Sequence, residues 1–274
     1  MEIRTFTDPD EFWAVAEPAV LAEPVRHSVL ASVVDSVRRD PGVYPRHTFY
    51  AALRPGRLPF VAHHTPPFPF HLPQADAEAA TTLADVVHAE GVRPGGAGGD
   101  EHSALAFAER WCTLTGQAPR IAMRLGQYDL PGPARLQWPV PGAARPAAAR
   151  DEPLVADWMT AFHSELGLPG TGRGSRLAIA DGRILLWSDP DPVAMAVASA
   201  PAGGVTRISF VYTPPEHRGH GYASAVTASI SERQREQGLR CMLYTDLANP
   251  TSNGIYAAIG YRRLSETVDV EFSV

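Results

Sequence analysis

The stretch from Val205 to Gln237 constrains the fold of this 274-residue chain more than any other. It reads VTRISFVYT, then PPEHRGHG, then a longer segment that opens at Tyr222. Apolar and polar side chains alternate over the first segment, which predicts a β-strand. Pro214 and Pro215 end this strand, because a proline nitrogen cannot donate to a sheet ladder. Apolar residues recur at helical spacing in the last segment, which predicts a helix that ends at Gly238.

The glycine-bearing loop between this strand and this helix is typical of a phosphate-binding site. The first N–H groups of a helix have no partner within the helix, and the helix dipole adds partial positive charge there. Gly219 and Gly221 would let the backbone approach a diphosphate closely and adopt positive φ angles. A tight turn without a ligand is the alternative interpretation of so short a motif.

Two motifs in the C-terminal half resemble the signatures of the GNAT superfamily of acyl-CoA N-acyltransferases. HRGHGYA after VYTPPE is similar to the acetyl-CoA loop of that superfamily, although Glu216 stands where relatives often have Gln or Arg. LYTDLANPTSNGIYAAIGYRR is similar to the second signature, in which a strand is followed by Asn, a helical Tyr, Gly and an aromatic residue. In this sequence these four are Asn249, Tyr256, Gly260 and Tyr261.

The resemblance implies an α/β protein with the GNAT fold. That fold is a mixed, mostly antiparallel central sheet with a splayed pair of parallel strands, and helices flank the sheet. Residues 139–274 would form the catalytic N-acetyltransferase domain. Residues 1–138 would form an N-terminal domain that is a degenerate GNAT-like copy, so that the two domains are in tandem. This two-domain plan also resembles mycothiol synthase, although no residue identifies the acceptor of that enzyme here.

The N-terminal half carries its own glycine-rich segment, residues 93–100, which we interpret as a turn without a strand directly before it. It would stand where the C-terminal half carries HRGHG. A role in packing is our interpretation, and a second cofactor site is the alternative. We expect the N-terminal domain to close one side of the acceptor site.

Composition argues against several classes of function. The net charge of -6 and the absence of a basic run interleaved with aromatic residues argue against a nucleic-acid partner. The sequence has no basic, apolar leader and no window of about 18 apolar residues, so we expect a cytoplasmic protein without a membrane partner. Cys112 and Cys241 are far apart and predict reduced thiols. His63, His64 and His71 lack the spacing of a metal site, and we expect no metal.

The resemblance also implies which residues bind acetyl-CoA, the acetyl donor. Main-chain groups of three residues in the strand would lie along the pantetheine arm, residues of the loop would bind the diphosphate, and one asparagine would hydrogen-bond the arm. In that order these residues are Phe210, Val211 and Tyr212; Arg218, Gly219, His220, Gly221, Tyr222 and Ala223; and Asn249.

Acetyl transfer to an amine needs a proton donor for the departing thiolate and an acceptor for the amine proton. Tyr256 is the candidate general acid, since a phenol with a pKa of about 10 can donate without ionising first. A packed Tyr with its hydroxyl on a carbonyl is the alternative. Asp246 is the first candidate for the general base, and Glu165 and His163 are the next. A water chain is an alternative to all three.

These observations predict an N-acetyltransferase that acts on a primary amine by direct attack in a ternary complex. The acceptor would be a small-molecule or peptide amine, and the protein would be a monomer or a homodimer. An acyl-CoA sensor or partner-binding protein without turnover is the alternative, because fold does not fix function.

Overall fold

The structure is a computed structural model that describes residues 1–167 and 175–273. The chain packs as two compact units. The first comprises Met1–Gln127, Thr245–Ala248 and Arg263–Val274, and the second comprises Tyr128–Tyr244 and Asn249–Arg262. The domain boundary at residue 138 stays a prediction. The sequence also predicts a polar, Gly-rich loop from Thr171 to Arg176, and residues 171–174 of it lie outside the described residues.

The first unit is built on helices and strands from the N-terminal part of the chain. They are β1 (Glu2–Phe6), α1 (Pro9–Ala22), α2 (Ser28–Arg39), β2 (Thr48–Leu53), β3 (Phe60–His64), β4 (Phe70–Gln74), α3 (Ala77–Ala89), β5 (Gly96–Asp100), α4 (Glu101–Thr115) and β6 (Ala118–Asp129). The last two residues of β6 belong to the second unit.

The second unit contains most of the remaining elements. They are β7 (Ala143–Pro146), α5 (Glu152–Glu165), α6 (Ser175–Ala180), β8 (Ile184–Ser188), β9 (Pro192–Ala198), β10 (Val205–Tyr212), α7 (Tyr222–Glu236), β11 (Arg240–Asp246) and α8 (Pro250–Ile259). The last two residues of β11, Thr245 and Asp246, belong to the first unit. The final strand, β12 (Arg262–Ser273), packs in the first unit from Arg263 onward, where it pairs antiparallel with β5.

The two halves of the chain repeat one order of elements. Each reads strand, two helices, three strands, helix, strand, helix, strand, with β6 and β12 as the closing strands. In each, the third strand of the run of three pairs in parallel with the next strand: β4 with β5, and β10 with β11. Pairs such as β2 with β3 and β8 with β9 are antiparallel. The prediction of a tandem α/β fold with a mixed sheet is therefore confirmed.

Helix α7 is fixed to the sheet of the second unit by its apolar stripe. Tyr222, Val226 and Ile230 are buried in one core cluster with β9 residues such as Ala194 and Ala196. Residues at this spacing lie on one face of a helix, so the stripe holds the whole helix against the strands. The first turn of α7 is consequently anchored beside the end of β10.

The glycine-rich segment before Asp100 is a strand and not the turn that we predicted. Residues Gly96–Asp100 form β5, which pairs with β4 on one side and β12 on the other. A Cβ at Gly96 would lie 2.2 Å from the Val270 carbonyl oxygen, and one at Gly99 would lie 2.0 Å from that of Leu72. The glycines are therefore needed because both neighbouring backbones approach closely.

The sequence pattern also predicts a strand over Leu177 to Ile179 and a break of the first helix at Pro18, and both predictions are wrong. Leu177 to Ile179, predicted as a strand, lies in α6: Ala178 and Ile179 are both buried while Leu177 is exposed, a pattern that fits a helix and not alternation. Helix α1 does not end near Pro18, because its buried face continues from Ala16 to Ala19 across the proline.

Asp151 connects β7 to the start of α5 and should make stability depend on pH. Its carboxylate accepts hydrogen bonds from Arg145 at 2.7 and 2.9 Å and from the Ala148 N–H at 2.8 Å. The bond from Arg145 is the largest cause that lowers the pKa of Asp151 to about 2. The folded state thus binds this proton less readily than the unfolded chain, so the stabilisation is present above about pH 4 and is lost towards about pH 2.

We expect Asp151→Asn to lower the free energy of unfolding by about 2 kcal/mol at about pH 7, and the gap from wild type to narrow as the pH falls from about 4 to 2. Urea titrations at several pH values measure both. Asp181→Asn is the control, since Asp181 pairs with Arg183 at the surface and should change the free energy by less than about 0.5 kcal/mol. If the difference in free energy of unfolding between wild type and Asp151→Asn stayed constant with pH, the ionised Asp151 would not be the source of the stabilisation.

Candidate functional site

The parallel strands β10 and β11 pair only over their first residues. The register joins Val205 with Arg240, Thr206 with Cys241 and Arg207 with Met242, while β10 runs on to Tyr212 and β11 to Asp246. Beyond Arg207, no β11 partner for the backbone of β10 is present in the described register. The residues that follow on β10 therefore have main-chain groups that are free to meet a ligand on that side.

A β-bulge lies in the same part of β10. Between the pairs Ser209–Val197 and Tyr212–Met195, β10 advances by three residues while β9 advances by two. Phe210 has a φ of 48°, the only positive value at a non-glycine residue in the described chain. Such a conformation costs about 1–3 kcal/mol and persists where the surroundings impose it, which is common at functional sites. Phe210 and Val211 pack towards two different core clusters.

The loop after β10 leads into a helix start without a side-chain cap. Gly219 and Gly221 have φ angles of 84° and 82°, and Gly221 is the N-cap of α7. The Ala225 N–H donates to the Gly221 carbonyl at 3.0 Å, so the N–H groups of the preceding helical residues have no partner within the helix. Uncapped N–H groups with the positive end of a helix dipole form an anion site.

Arg218 and Glu165 form an ion pair beside this loop. Arg218 Nη2 donates to both carboxylate oxygens of Glu165 at 2.8 Å, and its Nε donates to the Thr213 carbonyl at 2.9 Å. The Tyr212 hydroxyl donates to Glu165 Oε1 at 3.4 Å. Burial, followed by the negative charge of Glu165, raises the pKa of Tyr212. The last residue of α5 and the last residue of β10 are thus joined to the loop.

His220 and Tyr222 support the loop from the other end. The His220 ring stacks on the Tyr222 ring at a centroid distance of 5.5 Å. The Tyr222 hydroxyl donates to Asp189 Oδ2 at 2.6 Å, and this hydrogen bond is the main cause that raises the pKa of Tyr222. Tyr222 therefore fixes the first turn of α7 to the β8–β9 connection.

Helix α8 carries two of the predicted site residues. Asn249 is its N-cap, and Asn249 Oδ1 accepts from the Ser252 N–H at 3.1 Å. Tyr256 packs against the core cluster of the second unit, with its ring 6.1 Å from that of Tyr261. Burial raises the pKa of Tyr256 to about 12.

The candidate bases lie in different places. Asp246 ends β11 and packs with the first unit, and its Oδ1 accepts from the Ala248 N–H at 2.8 Å. His163 and Glu165 lie in the second unit at the end of α5. The ring centroids of His163 and Phe210 are 5.1 Å apart. The buried Nδ1 of His163 has no hydrogen-bond partner among the described residues. Two of the three candidates are therefore near the bulge of β10.

Comparisons with known proteins bear on the fold of this chain. A family model described as FR47-like protein matches residues 190–270, which include β10, the loop and α8. An acetyltransferase of the GNAT family from Colwellia psychrerythraea has a similar structure, with 14% identity, coverage of 100% of both chains and a TM-score of 0.59. None of the curated proteins matches this chain.

Two further solved structures are similar over nearly the whole chain. A GCN5-related N-acetyltransferase from Sphaerobacter thermophilus has 16% identity and a TM-score of 0.59, and the match covers 99% of this chain and 95% of the other. A tandem GNAT protein from the clavulanic acid biosynthesis pathway has 9% identity and a TM-score of 0.54, with 99% and 98% covered. The chain has the tandem GNAT fold.

The first GNAT-like unit differs from the second at the position that matches the loop. There β4 is connected to α3 by Ala75 and Asp76 alone, so the glycine-rich β5 corresponds to β11 and not to HRGHG. Asp76 caps α3 by accepting from the Ala79 N–H at 2.9 Å, and it pairs with Arg54. A carboxylate at the helix start repels phosphate. Our placement of the glycine-rich segment was wrong, and the helix start that does match is already capped.

His63, His64 and Cys241, which were also considered from the sequence, are buried. His63 and His71 face each other across β3 and β4 with ring centroids 4.9 Å apart, and burial holds the pKa of His63 well below its usual value. No group of three or more potential metal ligands was found in the part of the chain that the structure describes. Cys112 and Cys241 are both free thiols, and burial raises the pKa of Cys241 to about 12.

One contact of the candidate site could not be predicted from the sequence. The contact between Glu165, Tyr212 and Arg218 joins positions that are 47 and 53 residues apart. Glu165 was only a second-rank candidate, since a charged residue at a helix end is usually solvated.

Among the described helices, none is long and apolar enough to span a bilayer.

Proposed function

We propose that this protein is an N-acetyltransferase that transfers the acetyl group of acetyl-CoA to a primary amine by direct attack in a ternary complex. One observation carries the proposal. The splayed, bulged end of β10 leads through Gly219 and Gly221 into an uncapped helix start, so main-chain donors follow one another from the bulge to α7. This is the arrangement that a thioester, an extended arm and a diphosphate need in sequence.

The chain's own residues would hold acetyl-CoA, the cosubstrate, through main-chain groups. Those of Phe210, Val211 and Tyr212 would follow the pantetheine arm. Arg218 and the backbone from Gly219 to Ala223 would bind the diphosphate. Asn249 would bind the arm through its side-chain NH2, because its Oδ1 is already used to cap α8.

The chemistry moves two protons while one bond forms and one breaks. The amine nitrogen bonds to the thioester carbonyl carbon, and the carbon–sulfur bond breaks. Tyr256 would give its proton to the leaving sulfur, because its raised pKa keeps the phenol protonated at neutral pH. Asp246 is proposed to take the proton from the amine, with Glu165 and His163 as the alternatives in the second unit.

The first unit is proposed to bind no acetyl-CoA of its own. Its matching strand–helix connection has two residues and an acidic cap, Asp76, in place of a glycine loop. A second cofactor would have to displace that carboxylate from the start of α3. One cofactor per chain is the stoichiometry that this geometry favours.

Titration calorimetry with acetyl-CoA, followed by thiol release over a panel of amines, tests the proposal. We expect one equivalent per chain and turnover on at least one primary amine. Binding without turnover on small or peptide amines would favour the sensor alternative. Two equivalents would contradict the assignment of the first unit, and absence of binding would refute the cofactor site.

A further inference from the structure

Arg218 and Glu165, two charged groups of the proposed site, form an ion pair with each other. Both carboxylate oxygens of Glu165 accept from the same Nη2, and the Tyr212 hydroxyl adds a longer contact. Arg218 is also held by the Thr213 carbonyl, so its guanidinium is turned towards α5. In this state Arg218 Nη2 and both carboxylate oxygens of Glu165 are occupied by each other.

We propose that this pair is a latch that the diphosphate of acetyl-CoA opens. The side chains of Arg218 and Glu165 are 48% and 44% exposed, and ion pairs of this kind are weak. A diphosphate is the stronger partner for a guanidinium, because phosphate accepts bidentate, charge-assisted hydrogen bonds. The adjacent uncapped start of α7 binds the same anion, so both interactions favour the open state.

Opening the latch prepares a cation site beside the bulge of β10. The freed Glu165 carboxylate keeps the Tyr212 hydroxyl as a neighbour, and the Tyr212 ring lies 6.1 Å from that of Trp158. A carboxylate next to aromatic faces suits a protonated amine. This inference rests on the proposed function: donor binding would uncover the group that attracts the acceptor's ammonium.

A double-mutant cycle on acetyl-CoA affinity tests the latch. Glu165→Gln removes the competitor for Arg218 and should tighten acetyl-CoA binding about two- to fivefold. Arg218→Gln should weaken it about tenfold, because charge-assisted hydrogen bonds to the diphosphate are lost. In the Arg218→Gln background, Glu165→Gln should have no further effect, since nothing remains to be released.

Two controls separate the latch from the general effect of charge. Glu216→Gln removes the same charge in the loop but not the ion pair, so its effect should be the same in both backgrounds. S-acetylpantetheine lacks the diphosphate, and its affinity should not respond to Glu165→Gln. Equal effects of Glu165→Gln in both backgrounds, or no effect at all, would overturn the latch while wild-type binding of acetyl-CoA still upheld the proposed function. Failure of the wild-type protein to bind acetyl-CoA would instead refute the proposed function.

Discussion

Tyr256→Phe is expected to slow thiol release from acetyl-CoA by about 100-fold or more while acetyl-CoA affinity stays near that of wild type. The substitution removes one hydroxyl and keeps the ring that packs on the core of the second unit. The leaving thiolate then has no adjacent phenol from which to take a proton. Calorimetry measures the affinity, and a thiol assay with an accepted amine measures turnover.

The pH dependence adds a second test of the same role. Because burial raises the pKa of Tyr256 to about 12, the phenol keeps its proton throughout the neutral and mildly alkaline range. Wild-type turnover should therefore show no descending limb up to about pH 10, the pKa of an unperturbed phenol. A fall in turnover centred well below that pH would assign the acid to another group.

Tyr261→Phe is the matched control for Tyr256→Phe. The Tyr261 hydroxyl lies 2.7 Å from Ser231 Oγ, and Ser231 keeps a second bond to the Thr227 carbonyl when Tyr261 is changed. We expect a loss of about 1 kcal/mol in the free energy of unfolding and turnover near the wild-type value. Equal turnover in all three proteins would exclude Tyr256 as the acid.

The second half of the fold was readable from the sequence because its local signals agree with one another. The alternation in β10 predicted the strand. The two prolines after it and Gly238 predicted ends that lie close to the observed ones, Tyr212 for β10 and Glu236 for α7. Local physics sets these features, since proline and glycine act on their own backbone. The second signature likewise implied a helix that carries Tyr256, and α8 is that helix, whereas the role of Asn249 as its N-cap was not predicted.

The errors arose where tertiary contacts decide the local structure. Gly96 and Gly99 predict a turn in isolation, but the close backbones of β12 and β4 make them the residues that fit this strand. In α6, Ala178 and Ile179 are buried together by neighbours that are distant in the chain. From Arg263 onward, β12 packs in the first unit, and no local sequence pattern predicts this.

The candidate site was partly readable for the same reason. The loop glycines and Tyr256 follow from motifs, whereas the partners of Glu165 depend on how α5 approaches the end of β10. The positive φ of Phe210 could not be predicted from the sequence, because a bulky residue rarely adopts a positive φ. Such strain becomes visible only when neighbouring strands impose it.

Gly221→Val is expected to weaken acetyl-CoA binding about 100-fold or more. A Cβ at Gly221 would lie 3.2 Å from Val140 Cγ2, and the φ of 82° is strained for any residue with a side chain. The larger side chain would cover the N–H groups at the start of α7. Loss of two charge-assisted hydrogen bonds, at about 1.5–3 kcal/mol each, accounts for this factor.

Gly238→Val is the matched control, because Gly238 follows the other end of α7 with a φ of 78° and no atom within 4 Å of an added Cβ. Both substitutions impose left-handed backbone strain beside the same helix, so both should lower the melting temperature. Only Gly221→Val obstructs the anion site, and only this variant should lose affinity in calorimetry. If the two variants retained equal affinity, the diphosphate would not bind at the start of α7. If both lost affinity equally, strain in the helix and not access to its first N–H groups would explain the loss.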